Sequence, residues 1–161
     1  MSRTPYMKRL MVELKEIKKD TNHLYSIHPS DDFLTWNFIV IGPSDTMYEG
    51  GLFSGKMKFT KDYPSKAPEV YFDNIIHPNI YSSGKVCISI LHEGTDTFGY
   101  EKDIERWLPT HGINTIMISI ISMLSAPNFE SPANIDASKL WKDHPEKYKE
   151  KIHKMVALSQ S

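Results

Sequence analysis

The sequence predicts an α+β fold, with a helix ahead of a β-meander and further helices after it. Three observations carry that expectation. Apolar residues at helical spacing open the chain, short β-rich runs joined by turn residues fill its middle, and helical spacing returns after residue 112. At 161 residues the chain has the length of one domain with a sizeable core, and residues 1–161 are expected to form it.

Each element has a local reason. Thr4-Pro5 offers an N-cap and a first helical residue. Met7, Leu10, Met11, Leu14 and Ile17 then fall on one helix face, opposite Lys8, Arg9, Lys15, Glu16, Lys18 and Lys19. That second face reads as a solvated surface or as a docking surface for an acidic partner, and its excess of cations favours docking. After Asp20-Thr21-Asn22 the pattern turns extended. Residues 33–41 are rich in β-formers and end at the turn residues Gly42-Pro43-Ser44-Asp45. Gly50-Gly51 opens the next run, where Phe53, Met57 and Phe59 face one way and Lys56 and Lys58 the other. Tyr63-Pro64-Ser65-Lys66-Ala67-Pro68 breaks the pattern, and residues 69–72 resume it. Runs at this spacing predict an antiparallel meander.

Trp107-Leu108-Pro109 leads into a helix capped near Gly112. Its residues Ile113, Ile116, Met117, Ile120, Ile121 and Leu124 predict burial nearly all round. Ala126-Pro127-Asn128 ends it. Ser131-Pro132 predicts the start of a short helix through Leu140 and Trp141. Asp143-His144-Pro145 opens a last, basic helix to about residue 157.

Composition narrows the function. Apolar residues make up 40% and the net charge is −1, which gives no electrostatic case for nucleic acid or a membrane surface as partner. A single cysteine excludes an intrachain disulfide and a multi-cysteine zinc site. The seven histidines lack ligand spacing, so no metal is expected. Charged sequence follows the N-terminus, so neither a signal peptide nor a membrane span is expected, and a reduced, cytoplasmic or nuclear setting follows.

The stretch with chemistry runs from His77 to Leu91 and holds the one cysteine, Cys87. Pro78 stiffens a turn in which Asn79 carries an amide with two N–H donors. Residues 86–91 form an apolar run, extended or a helical turn. A thiol near a preset amide suits acyl transfer, with the thiolate attacking a carbonyl and the amide steadying the oxyanion. Taken alone, the same residues also suit a buried cysteine beside an ordinary turn.

Taken together, the motifs resemble those of the ubiquitin-conjugating enzymes over nearly the whole chain. The pieces are Gly42-Pro43 with Tyr48-Glu49-Gly50-Gly51, Tyr63-Pro64 with Pro68, His77-Pro78-Asn79 with Cys87 ten residues on, Trp107 with Pro109, and Pro127-Asn128. The resemblance implies an N-terminal helix, a four-stranded antiparallel meander, an active-site loop, then central and C-terminal helices. It implies that Cys87 takes ubiquitin as a thioester from the activating enzyme. A RING-type ligase then assists transfer to lysine amines of substrate proteins. No cofactor is implied, since ATP is consumed by the activating enzyme. Asn79 matches the residue that supports the oxyanion or orders the adjacent loop. His77 is read as holding the turn, and Ser131 falls at a gating position where a carboxylate is common. Lys8, Arg9 and Lys15 fit the activating-enzyme contact.

Two departures and one insertion matter. Ser65 stands where many members carry a bulky apolar residue for the ligase, and Trp107-Leu108-Pro109 replaces Trp-Ser-Pro. Ser65, Leu108 and Pro109 thus mark a ligase-docking surface with altered anchors. The segment between Leu91 and Trp107 is longer than in a typical member and resembles the acidic-loop subgroup. That subgroup is associated with degradative chains, proteasomal turnover and recruitment to the endoplasmic reticulum surface. Glu93, Asp96, Glu101 and Asp103 are expected to gate Cys87. Two rivals stay open: a non-catalytic interaction module on the same fold, and a cysteine hydrolase pairing Cys87 with His77.

Overall fold

A computed structural model describes residues 4–21, 23–94 and 105–161. Helix α1 (Pro5–Lys19) leads into strands β1 (Tyr25–Pro29), β2 (Thr35–Ile41), β3 (Leu52–Lys58) and β4 (Glu69–Phe72). A 3₁₀ turn (Ser89–Leu91) precedes helices α2 (Ile113–Ser125), α3 (Ile135–Asp143) and α4 (Pro145–Ser159). The strands form one antiparallel sheet in the order β1-β2-β3-β4, a meander. Strict alternation sets its register. Trp36, Phe38 and Val40 on β2 and Phe53 and Met57 on β3 point inward, while Asn37, Lys56 and Lys58 point out.

The core lies between the inner face of the sheet and the apolar side of α2. Ile113, Ile116, Met117 and Ile120 are fully buried there, each contributing on the order of 2 kcal/mol by area removed from water. The expectation that α2 is buried nearly all round is corrected. Asn114, Thr115, Ile118, Ser122 and Ser125 are exposed, because only one side of the helix meets the sheet and the other borders a cleft. The short helix also starts later than expected. Asn134, not Ser131, caps α3 by accepting from the Ala137 N–H at 3.0 Å. Ser131 belongs to the loop before it. Thr4 precedes Pro5 as expected, yet its side chain makes no capping bond.

Glu13 is the tertiary joint of the N-terminal half. Its Oε1 accepts from the Ile113 N–H at 2.7 Å, capping α2, whose own N-cap position is Gly112 and has no side chain. A Cβ on Gly112 would collide with that same oxygen. The other carboxylate oxygen accepts from Tyr63 Oη and from Arg9 Nε. Arg9 in turn donates to Pro109 O at 2.9 Å and His111 O at 2.7 Å. One carboxylate therefore ties α1, the Tyr63-Pro64 turn and the start of α2 together. At the far end, Tyr48 Oη bonds both Ile76 O and Tyr148 Oη at 2.6 Å, anchoring α4 beside His77. Burial pushes both phenols well above their usual range, so the pair stays neutral.

Glu13→Ala strips the cap of α2 and leaves the Tyr63 hydroxyl without its acceptor. It is expected to cost about 2–3 kcal/mol, read as a lower urea midpoint at unchanged m.

Candidate active site

Cys87 directly follows a short extended pair of residues that runs beside β4. Lys85 and Val86 form isolated bridges with Tyr71 and Ile80, and the Val86 N–H donates to Val70 O at 2.9 Å. These bonds hold residues 85 and 86 extended along β4, and the 3₁₀ turn follows at Ser89. The run left open between strand and helical turn is thus one, then the other. Gly84 allows the approach: its φ is +95°, and a Cβ there would collide with Phe72 O.

The His77-Pro78-Asn79 turn is buried, with His77 0% and Asn79 3% exposed. Every polar contact there is directed. His77 Nδ1 accepts from the Asn79 N–H at 2.9 Å, so Nε2 carries the proton and donates to Met123 O at 2.8 Å. Desolvation lowers the His77 pKa to about 4, against a smaller opposing effect of the Met123 bond. With both nitrogens engaged inside the fold, His77 is no partner for the thiol. The Asn79 side chain donates to Asn128 O at 2.9 Å and accepts from the Asn128 N–H at 2.8 Å. Pro78 O receives the N–H groups of Ala133 and Asn134. The turn therefore clamps the segment after α2. Asn79 O takes the Cys87 N–H at 2.9 Å, which joins the cysteine to the same clamp.

The Cys87 side chain is half-buried and lies between two clefts. One, of about 560 Å³, runs along the exposed side of α2 and is lined by Asn79, Ser119, Ser122 and Ser131 among others. The second, of about 520 Å³, is lined by Tyr81, Lys85, Glu69 and Glu93. His92 borders both. Its Nε2 is 3.5 Å from Cys87 Sγ, and the Tyr81 hydroxyl also bonds the sulfur. Negative charge on that sulfur raises the Tyr81 pKa. Neither His92 nor Tyr81 was singled out from sequence. The 3₁₀ turn brings residue 92 back toward residue 87, a fold-back that apolar spacing does not announce.

The other expected site residues divide. Lys8 and Lys15 are exposed. Arg9 donates to Glu13, Pro109 and His111, and its guanidinium carbon lies 5.7 Å from the Tyr63 ring centroid, so it also ties α1 to the loop before α2. Ser65, Leu108 and Pro109 are exposed on adjoining loops. The Trp107 indole N–H donates to Pro64 O at 2.8 Å, joining those loops. Glu93 accepts from the Ala67 N–H at 3.0 Å, and Arg106 donates to the carbonyls of Glu93 and Gly94 at 2.7 Å. These bonds pin both ends of the long segment together. Asp96, Glu101 and Asp103 lie outside the described residues. Among the described residues no His, Cys, Asp and Glu cluster could hold a metal, and no helix is long and apolar enough to cross a membrane.

Comparison with known proteins decides the family. Residues 9–156 match the family model described as ubiquitin-conjugating enzyme. The chain belongs to the ubiquitin-conjugating enzymes. It is 47% identical over 154 residues to ubiquitin-conjugating enzyme E2 15 of Schizosaccharomyces pombe, covering 93% of this chain and 92% of that one. Ubiquitin-conjugating enzyme E2 7 of Arabidopsis thaliana is 48% identical over 145 residues, 83% and 87% of the two chains. Ubiquitin-conjugating enzyme E2 G2 of Bos taurus is 41% identical over 157 residues, 95% of each. Enzymes of this family are cysteine-thioester transferases that work with ubiquitin, an activating enzyme and a ligase. The rival readings, scaffold and hydrolase, give way to this one.

The depressed His77 pKa has a consequence for stability. The unfolded chain binds a proton at this residue near pH 6.5 and the folded chain only near 4, so between those values the unfolded state holds more protons. Stability should be flat above about pH 7 and fall by about 3 kcal/mol as pH drops from 6.5 to 4. Urea unfolding across that range checks the slope, and NMR titration of the imidazole checks its source.

Proposed function

We propose that Cys87 is the residue that carries ubiquitin. The observation that carries this reading is the chain's one thiol, half-buried at the junction of two clefts and tied through its own N–H to the Asn79 carbonyl. In the first step the Cys87 thiolate attacks the thioester held by the activating enzyme. A new S–C bond forms at ubiquitin's C-terminal carboxyl, and the activating enzyme's thiolate leaves. Exchange between thiols needs little base catalysis, because a thiol is already partly ionised near neutral pH. His92 Nε2, 3.5 Å from the sulfur, favours the thiolate further when it holds a proton. The serine-lined cleft along α2 suits the extended tail that leads to the thioester, with hydroxyls to meet its backbone.

In the second step a neutral lysine amine attacks the thioester carbonyl. The C–N bond forms, the C–S bond breaks, Cys87 leaves as a thiolate, and the nitrogen gives its extra proton to solvent. The oxyanion forms beside Asn79, whose amide has a second N–H beyond the one given to Asn128. Ser131 lines the same cleft and contributes a hydroxyl, where a carboxylate would attract the amine more strongly.

The partners follow from surfaces. Lys8, Arg9 and Lys15 on α1 meet the activating enzyme. The joined loops carrying Ser65, Leu108 and Pro109 meet a RING-type ligase, with Leu108 as the apolar anchor that Ser65 does not supply. The acidic segment after Leu91 tends access of the acceptor lysine, in keeping with degradative chain building. Glu93 anchors one end of it to the ligase-side loop through Ala67. A reduced compartment, the cytoplasm with recruitment to the endoplasmic reticulum surface by a partner, fits a mechanism that needs a free thiol.

Incubation with activating enzyme, ubiquitin and ATP should give a band on a non-reducing gel that thiol removes. Cys87→Ser should leave a thiol-resistant oxygen ester or no band. A native chain that gives no thiol-sensitive band would overturn the assignment. Reversing Lys8 and Lys15 together to Glu should slow loading several-fold, while Lys15→Arg should not; initial rates of thioester formation decide.

A further inference from the structure

We propose that Lys85 is a self-modification site: the charged enzyme acylates this lysine, and Glu69 restrains the reaction. The inference rests on Cys87 holding the thioester. Residues 85 and 87 flank Val86 in an extended run whose exposure alternates, with Val86 buried, Lys85 exposed and Cys87 half-buried. The two side chains therefore lie on the same side of the backbone, and both line the same cleft. Their Cα atoms are about 6.6 Å apart at the strand rise, a span that a four-carbon lysine stem bridges. The bonds that keep this run extended hold the backbone that carries both side chains, since Val86 N–H and Lys85 O are both engaged with neighbouring backbone.

What holds the amine back is equally plain. Lys85 Nζ lies 3.9 Å from Glu69 Oε2, and that oxygen is itself fixed by the Tyr71 hydroxyl at 2.6 Å. The carboxylate draws the ammonium aside, toward β4. The restraint is partial, because both side chains are about half exposed and such a pair is weak. The other lysines on this cleft, Lys58 over the Tyr71 ring and Lys66 near Asp62, lie farther along the sequence from Cys87, on other segments.

The chemistry is that of substrate transfer, turned inward. Lys85 loses its ammonium proton to solvent, its nitrogen attacks the thioester carbonyl, and the second proton released as the amide forms also passes to solvent. The C–N bond forms, the C–S bond breaks, and Cys87 departs as a thiolate. The product is an isopeptide bond to ubiquitin that thiols cannot cleave, lodged at the mouth of the active site. A thioester-loaded enzyme without an acceptor would thereby switch itself off.

The test uses the full chain with activating enzyme, ubiquitin and ATP, and neither ligase nor added acceptor. Thiol treatment then precedes intact mass measurement and peptide mapping. A thiol-resistant adduct of one ubiquitin on Lys85 is expected. Lys85→Arg should lose it while still forming the thioester, and Glu69→Gln should form it faster, on the order of threefold. Adduct only on Lys58, Lys66 or a distant lysine, or none despite a normal thioester, overturns the proposal and leaves the role of Cys87 standing. An unchanged rate in Glu69→Gln overturns the restraint. Absence of any thioester on a non-reducing gel overturns both readings together.

Discussion

Burying a histidine and an asparagine side by side is costly unless every polar atom finds a partner, and the His77-Pro78-Asn79 turn is built around that constraint. The imidazole spans from the Asn79 N–H to Met123 O on α2, and the Asn79 amide closes a two-bond ring with Asn128. The position of Cys87 is inherited from this clamp through its bond to Asn79 O. A buried network of this kind has one satisfied arrangement and many half-satisfied ones, which makes the turn rigid. Rigidity matters here because a thioester transfer gains its rate from position and a preset donor.

The same logic repeats at a distance in the Glu13 carboxylate. It serves a helix N-terminus, a phenol and a guanidinium at once, and so holds the Tyr63-Pro64 turn and the start of α2 in fixed relation. The loop surface bearing Leu108 is built on this joint and on the Trp107 indole. The Leu108 loop surface and the His77-Pro78-Asn79 clamp are therefore joined along α2, whose two ends touch Glu13 and, through Met123, His77.

Two residues change meaning between sequence and fold. Arg9 reads as one cation among several on an amphipathic helix, and also becomes a structural strut once residues 109 and 111 are placed against it. His92 reads as the start of a polar loop, and becomes the imidazole nearest the sulfur once the 3₁₀ turn is closed. The reverse occurs at α2. Its residues Ile118 and Ser122 look like the margin of a buried helix, yet they form the floor of the cleft that leads to Cys87.

By itself the sequence determined the elements and the chemistry class. Alternation in β2 and β3, the apolar spacing of α1 and α2, and the Pro and Gly breaks are all local, so a linear reading reaches them. The motif around Cys87 was legible for the same reason, since His77, Asn79 and the cysteine fall within one stretch. Only the tertiary structure decided which donors and acceptors meet. Glu13 with Ile113, Asn79 with Asn128, and Tyr48 with Tyr148 are pairs separated by 49 to 100 residues. A side chain's identity tells how many bonds it makes but not with whom, because the partner is chosen by packing of the whole core.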